Sequence, residues 1–322
     1  MRKFVVTFMA VLLVTAIASC TKDGDGVYDG VYNPAKKIHK CYYQDASNEE
    51  KELQEIWNWD GSRLESIQYG HGVSQWAEYW TDSFTYEDNV LVRADRGDEL
   101  YADFSYRGGR LYKISTYLRS VLAVEYTFIY GKANKVSEIS VVYFDDEEEK
   151  SFNPLRLFLP KEICDRQEED RRRLVSKGRG TMGLETGTIS FTWSGDNISR
   201  VYYDLKYEEE TENYVQYTTL DITMQYDTKR NPQEGFVGAF FDFGLSGDVA
   251  LFSSKNNVKD YVYILREVEY DNGVMDPEPF TDKLECHSSF EYDSDDYPVK
   301  IIQTYIDEGD DSRIGTYFYE YL

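Results

Sequence analysis

Phe104-Ser105-Tyr106-Arg107-Gly108-Gly109-Arg110-Leu111, followed by Ile114, is the stretch that decides the fold. Two aromatics two residues apart face one side of a strand. Gly108-Gly109 supplies the positive dihedrals of a tight turn, and Leu111 opens a returning strand. The step from Leu111 to Ile114 breaks strict alternation, which predicts a bulge or a change of face near the start of that strand. The segment therefore reads as a complete β-hairpin.

The same sentence recurs along the chain. Trp57-Asn58-Trp59-Asp60-Gly61-Ser62-Arg63-Leu64 leads to Ile67, and Phe128-Ile129-Tyr130 leads to Val136 and Ile139. Phe191-Thr192-Trp193 leads to Ile198 and Val201, and Phe290-Glu291-Tyr292 to Val299 and Ile302. Phe84-Thr85-Tyr86 and Met224-Gln225-Tyr226 open weaker copies. Between copies, Leu122, Val124, Tyr126, Phe128 and Tyr130 alternate onto one face, as do Leu220, Ile222, Met224 and Tyr226. The spacing of the copies is too irregular for a propeller or solenoid. The expected fold is all-β: an antiparallel meander of hairpins forming a barrel-like or strongly curved sheet, with one short helical insertion. That insertion falls at about 145–185, where Lys161 to Val175 carries Glu168/Arg172 and Glu169/Arg173 at i, i+4 spacing.

A membrane-spanning barrel is disfavoured. Glu125, Glu267 and Glu291 sit on strands whose opposite faces are already apolar, so the charged face belongs in water and not in lipid.

The first twenty residues give an address. Arg2 and Lys3 precede an apolar run from Phe4 to Ala18, and Ile17-Ala18-Ser19-Cys20 closes it. That is a secretory signal peptide, and the cysteine after small residues resembles a lipobox. The organisation expected is therefore a signal peptide over 1–19, lipid on Cys20, a flexible tether over 20–35, and one β domain over 36–322. The apolar run is shorter than the roughly twenty residues a spanning helix needs. Acidic residues directly behind Cys20 resemble the surface-export signal of Bacteroidetes lipoproteins, which implies the outer membrane, with display on its outer face favoured over the periplasmic face.

Removal of residues 1–19 takes away Arg2 and Lys3 and no acidic residue, so the formal charge goes from −24 to −26. Such a chain is repelled by phosphate backbones and by anionic lipid, which excludes nucleic acid as a partner and leaves the lipid as its hold on the membrane. Cys41, Cys164 and Cys286 form an odd set without CxxC spacing; Cys286, in phase with Leu284 and Phe290, reads as a buried thiol, and the spacing leaves open whether any two of the three are bridged. His39, His71 and His287 are too scattered for a metal constellation. No cofactor or metal is expected.

Tyr226-Asp227-Thr228-Lys229-Arg230-Asn231-Pro232 and Ser254-Lys255-Asn256-Asn257-Val258 resemble the pattern of an uncharacterised group of Bacteroidetes lipoproteins, and the hairpin sentence resembles tyrosine-aspartate repeats of secreted bacterial proteins. The likeness spans roughly residues 50 to 322. It implies a porin-like β fold and brings no activity and no catalytic residues. Arg156, Leu157 and the helical insertion after them depart from it.

The chemical motifs are weak. Gly178-Arg179-Gly180-Thr181-Met182-Gly183 fits G-x-G-x-x-G but lacks the strand before and helix after that a phosphate cradle requires. Gly244-Leu245-Ser246-Gly247 lacks the spacing of a nucleophile elbow. Asp293-Ser294-Asp295-Asp296 and Asp307-Glu308-Gly309-Asp310-Asp311 are oxygen-rich, without helix-loop-helix calcium spacing. Trp76, Tyr79 and Trp80, with Glu78 and Asp82 beside them, are the candidate ligand platform, because aromatic faces next to carboxylates suit sugar stacking and hydroxyl hydrogen bonds. Trp76, Trp80 and Phe84 also share the parity of an inward, core-packed face. The expected function is a non-catalytic binding or scaffolding protein of the envelope, for a glycan or peptide; the alternative is a polymer hydrolase using paired carboxylates.

Overall fold

A computed structural model describes residues 28–47, 50–70, 80–97, 100–144, 184–209, 213–241, 254–277, 279–307 and 310–322. The helical insertion and the two glycine motifs read from the sequence lie outside these residues, as do Trp76, Tyr79, Cys20 and Cys164.

The hairpin reading holds strand by strand. Seventeen strands form one antiparallel sheet, and sixteen of them close into a barrel. In chain order they are β1 (Ile38–Asp45), β2 (Glu52–Asp60), β3 (Arg63–Tyr69), β4 (Trp80–Glu87), β5 (Val90–Arg96), β6 (Leu100–Arg107), β7 (Arg110–Leu118), β8 (Val121–Tyr130), β9 (Val136–Tyr143), β10 (Leu184–Ser194), β11 (Asn197–Glu209), β12 (Tyr214–Arg230) and β13 (Asn256–Asp271). The two-residue β14 (Val274–Met275) folds back on the end of β13. Then come β15 (Phe280–Tyr292), β16 (Pro298–Asp307) and β17 (Asp310–Tyr321), and β17 pairs with β1 to close the ring. Closure pairs β1 and β17, the two ends of the meander, with each other.

The bulge predicted from the i, i+3 spacing is present in every copy. The register slips between Asn58/Trp59, Thr85/Tyr86, Ser105/Tyr106, Ile129/Tyr130, Thr192/Trp193, Gln225/Tyr226 and Glu291/Tyr292. One extra residue on the return strand brings the first aliphatic and the one three further on to the same inner face, so Leu64 and Ile67, and Leu111 and Ile114, are all buried. In the last copy the pair is Pro298 and Ile301, one residue earlier than the sequence suggested, because Tyr292 registers with Pro298 and Phe290 with Ile301.

The bulges are joined by a stitch the sequence reading did not foresee. At the turn end each hairpin parts from the next: β5 and β6, for instance, pair no further than Arg93 with Asp103. The orphaned carbonyl beyond is taken by the second aromatic of the following hairpin. Tyr86 Oη donates to Leu64, Tyr106 Oη to Leu91, Tyr130 Oη to Leu111, Tyr226 Oη to Ile198 and Tyr321 Oη to Pro298, while Trp59 Nε1 donates to Ile38 and Trp193 Nε1 to Val136, at 2.5–2.9 Å. The position accepts Tyr or Trp because either places an N–H or O–H donor at the end of a long ring.

A ring of sixteen strands is wide enough to leave a channel. Here the turn end is filled. The segment from Tyr28, expected as part of the flexible tether, instead runs along the inside of that rim. Its carbonyls accept the bulge amides, Leu111 N–H to Tyr28 and Leu91 N–H to Gly30, and Tyr32 Oη donates to Pro232 at 2.7 Å. Gly30, at φ +79°, lies so close to the stitch that a Cβ would fall 2.4 Å from Tyr106 Oη. From the opposite wall the β12–β13 connection sends in Phe236, Val237, Phe240 and Phe241, all buried. Phe240 packs edge-on against Tyr28 and Phe128, and Phe236 edge-on against Phe84 and tilted against Trp57 and Tyr32.

The outer wall carries ion pairs. Arg93 pairs with Asp95 and Asp103, Lys113 with Glu125, Arg200 with Asp221 and Lys300 with Glu291, from outward positions on successive strands. A Lys or Arg on a lipid-facing wall costs about 2–4 kcal/mol at mid-bilayer, so these outward pairs suit contact with water.

Candidate functional site

Polar side chains gather on one wall of the interior, formed by β17 and β1–β5. A row of directly opposed residues runs across five strands: Tyr319 on β17 faces Cys41 on β1, Cys41 faces Glu55 on β2, Glu55 faces Tyr69 on β3, and Tyr69 faces Trp80 on β4. One step further along, Asp82 on β4 faces Arg96 on β5. The parity that puts Phe84 in the core also turns Trp80 and Asp82 inward.

Asp82 is 1% exposed, and its carboxylate is held by Arg96 through two parallel bonds, Nε to Oδ1 at 2.5 Å and Nη2 to Oδ2 at 2.6 Å. Burial pushes its pKa above the usual carboxylate range, against the pull of the Arg96 guanidinium and the Tyr69 hydroxyl. The guanidinium lies over three rings, 4.9 Å from Trp80, 5.5 Å from Tyr69 and 5.6 Å from Phe241. Phe241, on the plug, thus belongs to this cluster. Glu55 accepts the Trp57 indole N–H at 2.7 Å. Its carboxyl is pushed up by burial and, secondarily, by the charge on Asp82, against that hydrogen bond. Cys41 is buried beside it, with its thiol pushed up by burial first and by Glu55 second.

One polar atom in the cluster has nothing to bind. Among the described residues the Trp80 indole N–H is buried without a hydrogen-bond acceptor, although the neighbouring indoles Trp57 and Trp59 each have one. An orphaned buried donor costs about 1–3 kcal/mol. Of the sequence candidates, the structure therefore brings Trp80 and Asp82 together in one interior site. It adds Glu55, Tyr69 and Arg96, which sequence reading missed. Their signal was available in the parity of inward positions: Glu55 shares the parity of Trp57, and Arg96 that of Ala94.

The other candidates resolve into structure. Asp293 and Asp295 are bound by Lys36, and Asp296 by Lys229 at 2.5 Å, so this acidic turn is a clasp on the N-terminal segment. Asp227, in the motif that carried the family resemblance, accepts Lys229 N–H at 2.9 Å, Asn257 N–H and Nδ2 at 3.1 Å each, and the Tyr292 hydroxyl. Asn231 Nδ2 donates to Ser254 and Asn257 Nδ2 to Arg230, which makes the Asn-Pro and Asn-Asn-Val elements the root of the plug. Cys286 is fully buried, as its phase predicted, and Cys41 and Cys286 are both thiols.

No protein-family model matches the sequence, and no curated protein is significantly similar to it. Similar solved structures include a porin-like protein from Bacteroides uniformis ATCC 8492, 8% identical over 90% of this chain and 99% of that one, with a TM-score of 0.45. A porin-like protein from Bacteroides vulgatus ATCC 8482 is 12% identical over 89% and 99% respectively, with a TM-score of 0.34.

Proposed function

We propose that this protein is a non-catalytic binding barrel of the cell envelope, tied to the outer membrane through lipid on Cys20 and displayed at the surface, with no hold on the membrane besides the lipid. Its ligand, a glycan or a peptide carrying hydroxyl or carbonyl acceptors, sits against Trp80 and Asp82, with Trp76 and Tyr79 of the adjoining segment as further stacking faces. The observation that carries this reading is the Trp80 indole N–H, without an acceptor among the described residues, beside aromatic faces and a fixed ion pair. An acceptor on the ligand completes it, and sugar or peptide faces stack on the rings.

The hydrolase reading is weaker for a geometric reason. Asp82 is held on both oxygens by Arg96 and Glu55 accepts an indole N–H, so neither carboxylate is placed to hand a proton to a substrate or take one from it. A glycan and peptide array on the unlipidated chain tests the proposal: a bound class whose signal falls tenfold or more in Trp80→Ala supports it. Binding unchanged in that variant, or turnover of a bound polymer, overturns it. For the anchor, Cys20→Ala is expected to abolish fatty-acid labelling, and unchanged labelling refutes lipidation.

A further inference from the structure

We infer that the ligand of the Trp80 site is an uncharged polyhydroxyl compound, a neutral glycan, and that acidic sugars and the charged groups of peptides are excluded from it. The inference rests on the binding role proposed above and narrows the class of ligand that the same residues accept.

The charges of the site are engaged with each other. Arg96 gives Nε and Nη2 to the two oxygens of Asp82, and this parallel fork is the geometry with which a guanidinium would otherwise take a ligand carboxylate. Its flat face is taken as well, by the Trp80, Tyr69 and Phe241 rings. A uronate, a sialic acid or a peptide carboxylate arriving here adds a negative charge beside Asp82 and Glu55, and the site's described side chains include no cation besides Arg96 to meet it. Those two carboxyls already feel each other, since the charge on Asp82 is among the causes that raise the Glu55 pKa. A ligand ammonium or guanidinium fares no better. Arg96 occupies the aromatic faces on which a cation would sit, and it repels a second one at the same rings.

The remaining capacity is of the kind a hydroxyl meets. The Trp80 indole N–H is buried without an acceptor among the described residues. Across Tyr69, in the same directly opposed row, Glu55 takes the Trp57 indole N–H on Oε2, and among the described residues its Oε1 has no donor. Two strand spacings put these positions about 10 Å apart at the backbone. One needs an acceptor and the other a donor. A hydroxyl is both, with one O–H and two lone pairs, so a sugar with hydroxyls around its ring serves the two positions in more than one orientation and brings no charge. A peptide offers its N–H and C=O in a fixed order along the chain and brings charged termini with it.

The test is an array of neutral glycans, uronate- and sialic-acid-bearing glycans, and neutral, acidic and basic peptides, probed with the unlipidated chain. The strongest binder is then titrated at low and at high ionic strength, with the parent and with Trp80→Phe, which keeps a ring and removes the N–H. The expected result is a neutral glycan, bound at least tenfold more weakly by Trp80→Phe, whose affinity for the parent changes less than twofold with salt, because an uncharged ligand has no charge to screen. A charged glycan or a peptide as strongest binder, weakened tenfold in Trp80→Phe, overturns this assignment and leaves the binding role standing. A strongest binder indifferent to Trp80→Phe, or no binder in any class, overturns the binding role and the assignment together. The salt comparison uses the parent and so holds whether or not the variant folds: an affinity that falls tenfold or more with salt refutes an uncharged ligand.

Discussion

At the turn end every hairpin parts from its neighbour over a bulge, and the orphaned carbonyls and amides are retrieved by aromatic stitches, by the strap from Tyr28 to Tyr32 and by the plug. Further from the turns, β12 and β13 stay in unbroken register from Tyr214–Asp271 down to Gln225–Asp260; on β2, β4 and β5 the interior holds a buried ion pair and a buried carboxyl, while Tyr203, Leu220, Tyr263 and Leu265 continue the apolar core on β11–β13. The turn end is thus built for rigidity by redundant side-chain contacts, and β2, β4 and β5 keep polar groups that contribute little to stability and that the proposed binding role would use. Substitutions should separate the two. The largest loss is expected at the plug: Phe240, 1% exposed among Tyr28, Tyr126 and Phe128, should cost about 3–5 kcal/mol when cut to alanine. A urea midpoint that barely moves in Phe240→Ala would mean that the plug is an ornament on a barrel stable without it.

The far end has one place where a similar loss is expected, for a different cause. Asp82→Ala strands the Arg96 cation in the interior, at about 3–4 kcal/mol. Asp82→Leu with Arg96→Met removes both charges and should recover most of that loss, since the net worth of a buried pair is small. Recovery of stability with loss of ligand binding in the double variant would mark the pair as functional; the plug offers no such compensation. Failure of the double variant to recover would show that the pair is structural after all.

The hairpins, the bulges, the inward faces and the charged outward positions were legible in the sequence because each is a local matter of period two and turn chemistry. Phe104-Ser105-Tyr106-Arg107-Gly108-Gly109-Arg110-Leu111 contains its own strand, turn and return. Closure and the plug were not legible. β1 meets β17 across nearly the whole chain, and Phe240 meets Tyr28 over two hundred residues, contacts with no local trace. Tyr28 and Tyr32 were misread as tether because Gly and Asp around them are as common in linkers as in a strap that must pass close to Tyr106. The stitch falls between these cases: the recurring Tyr or Trp was visible, but its acceptor lies in the preceding hairpin. Tyr106→Phe should cost about 1 kcal/mol, the net value of one hydrogen bond plus an orphaned carbonyl, and Trp193→Phe a similar amount. If phenylalanine is tolerated without loss at both, ring packing alone explains the repeat.

The smallest effect is expected in the far half and shows in its pH dependence. Burial raises the Glu55 pKa in the folded chain, whereas in the unfolded chain a glutamate titrates near about 4.3. Between those two values the folded state binds the extra proton, so Glu55 makes stability fall as pH rises through that window. Below it both states are protonated and the penalty vanishes; above it the penalty is constant and complete. Glu55→Gln keeps an acceptor for Trp57 Nε1 and removes the charge. It should therefore leave the urea midpoint unchanged at acid pH and raise it at neutral pH, with a flatter profile between. A variant whose midpoint is lower than the parent's at neutral pH would show instead that the ionised carboxylate is held favourably by Trp57, and that the polar row along Cys41, Glu55 and Tyr69 stabilises the barrel as the aromatic stitches do.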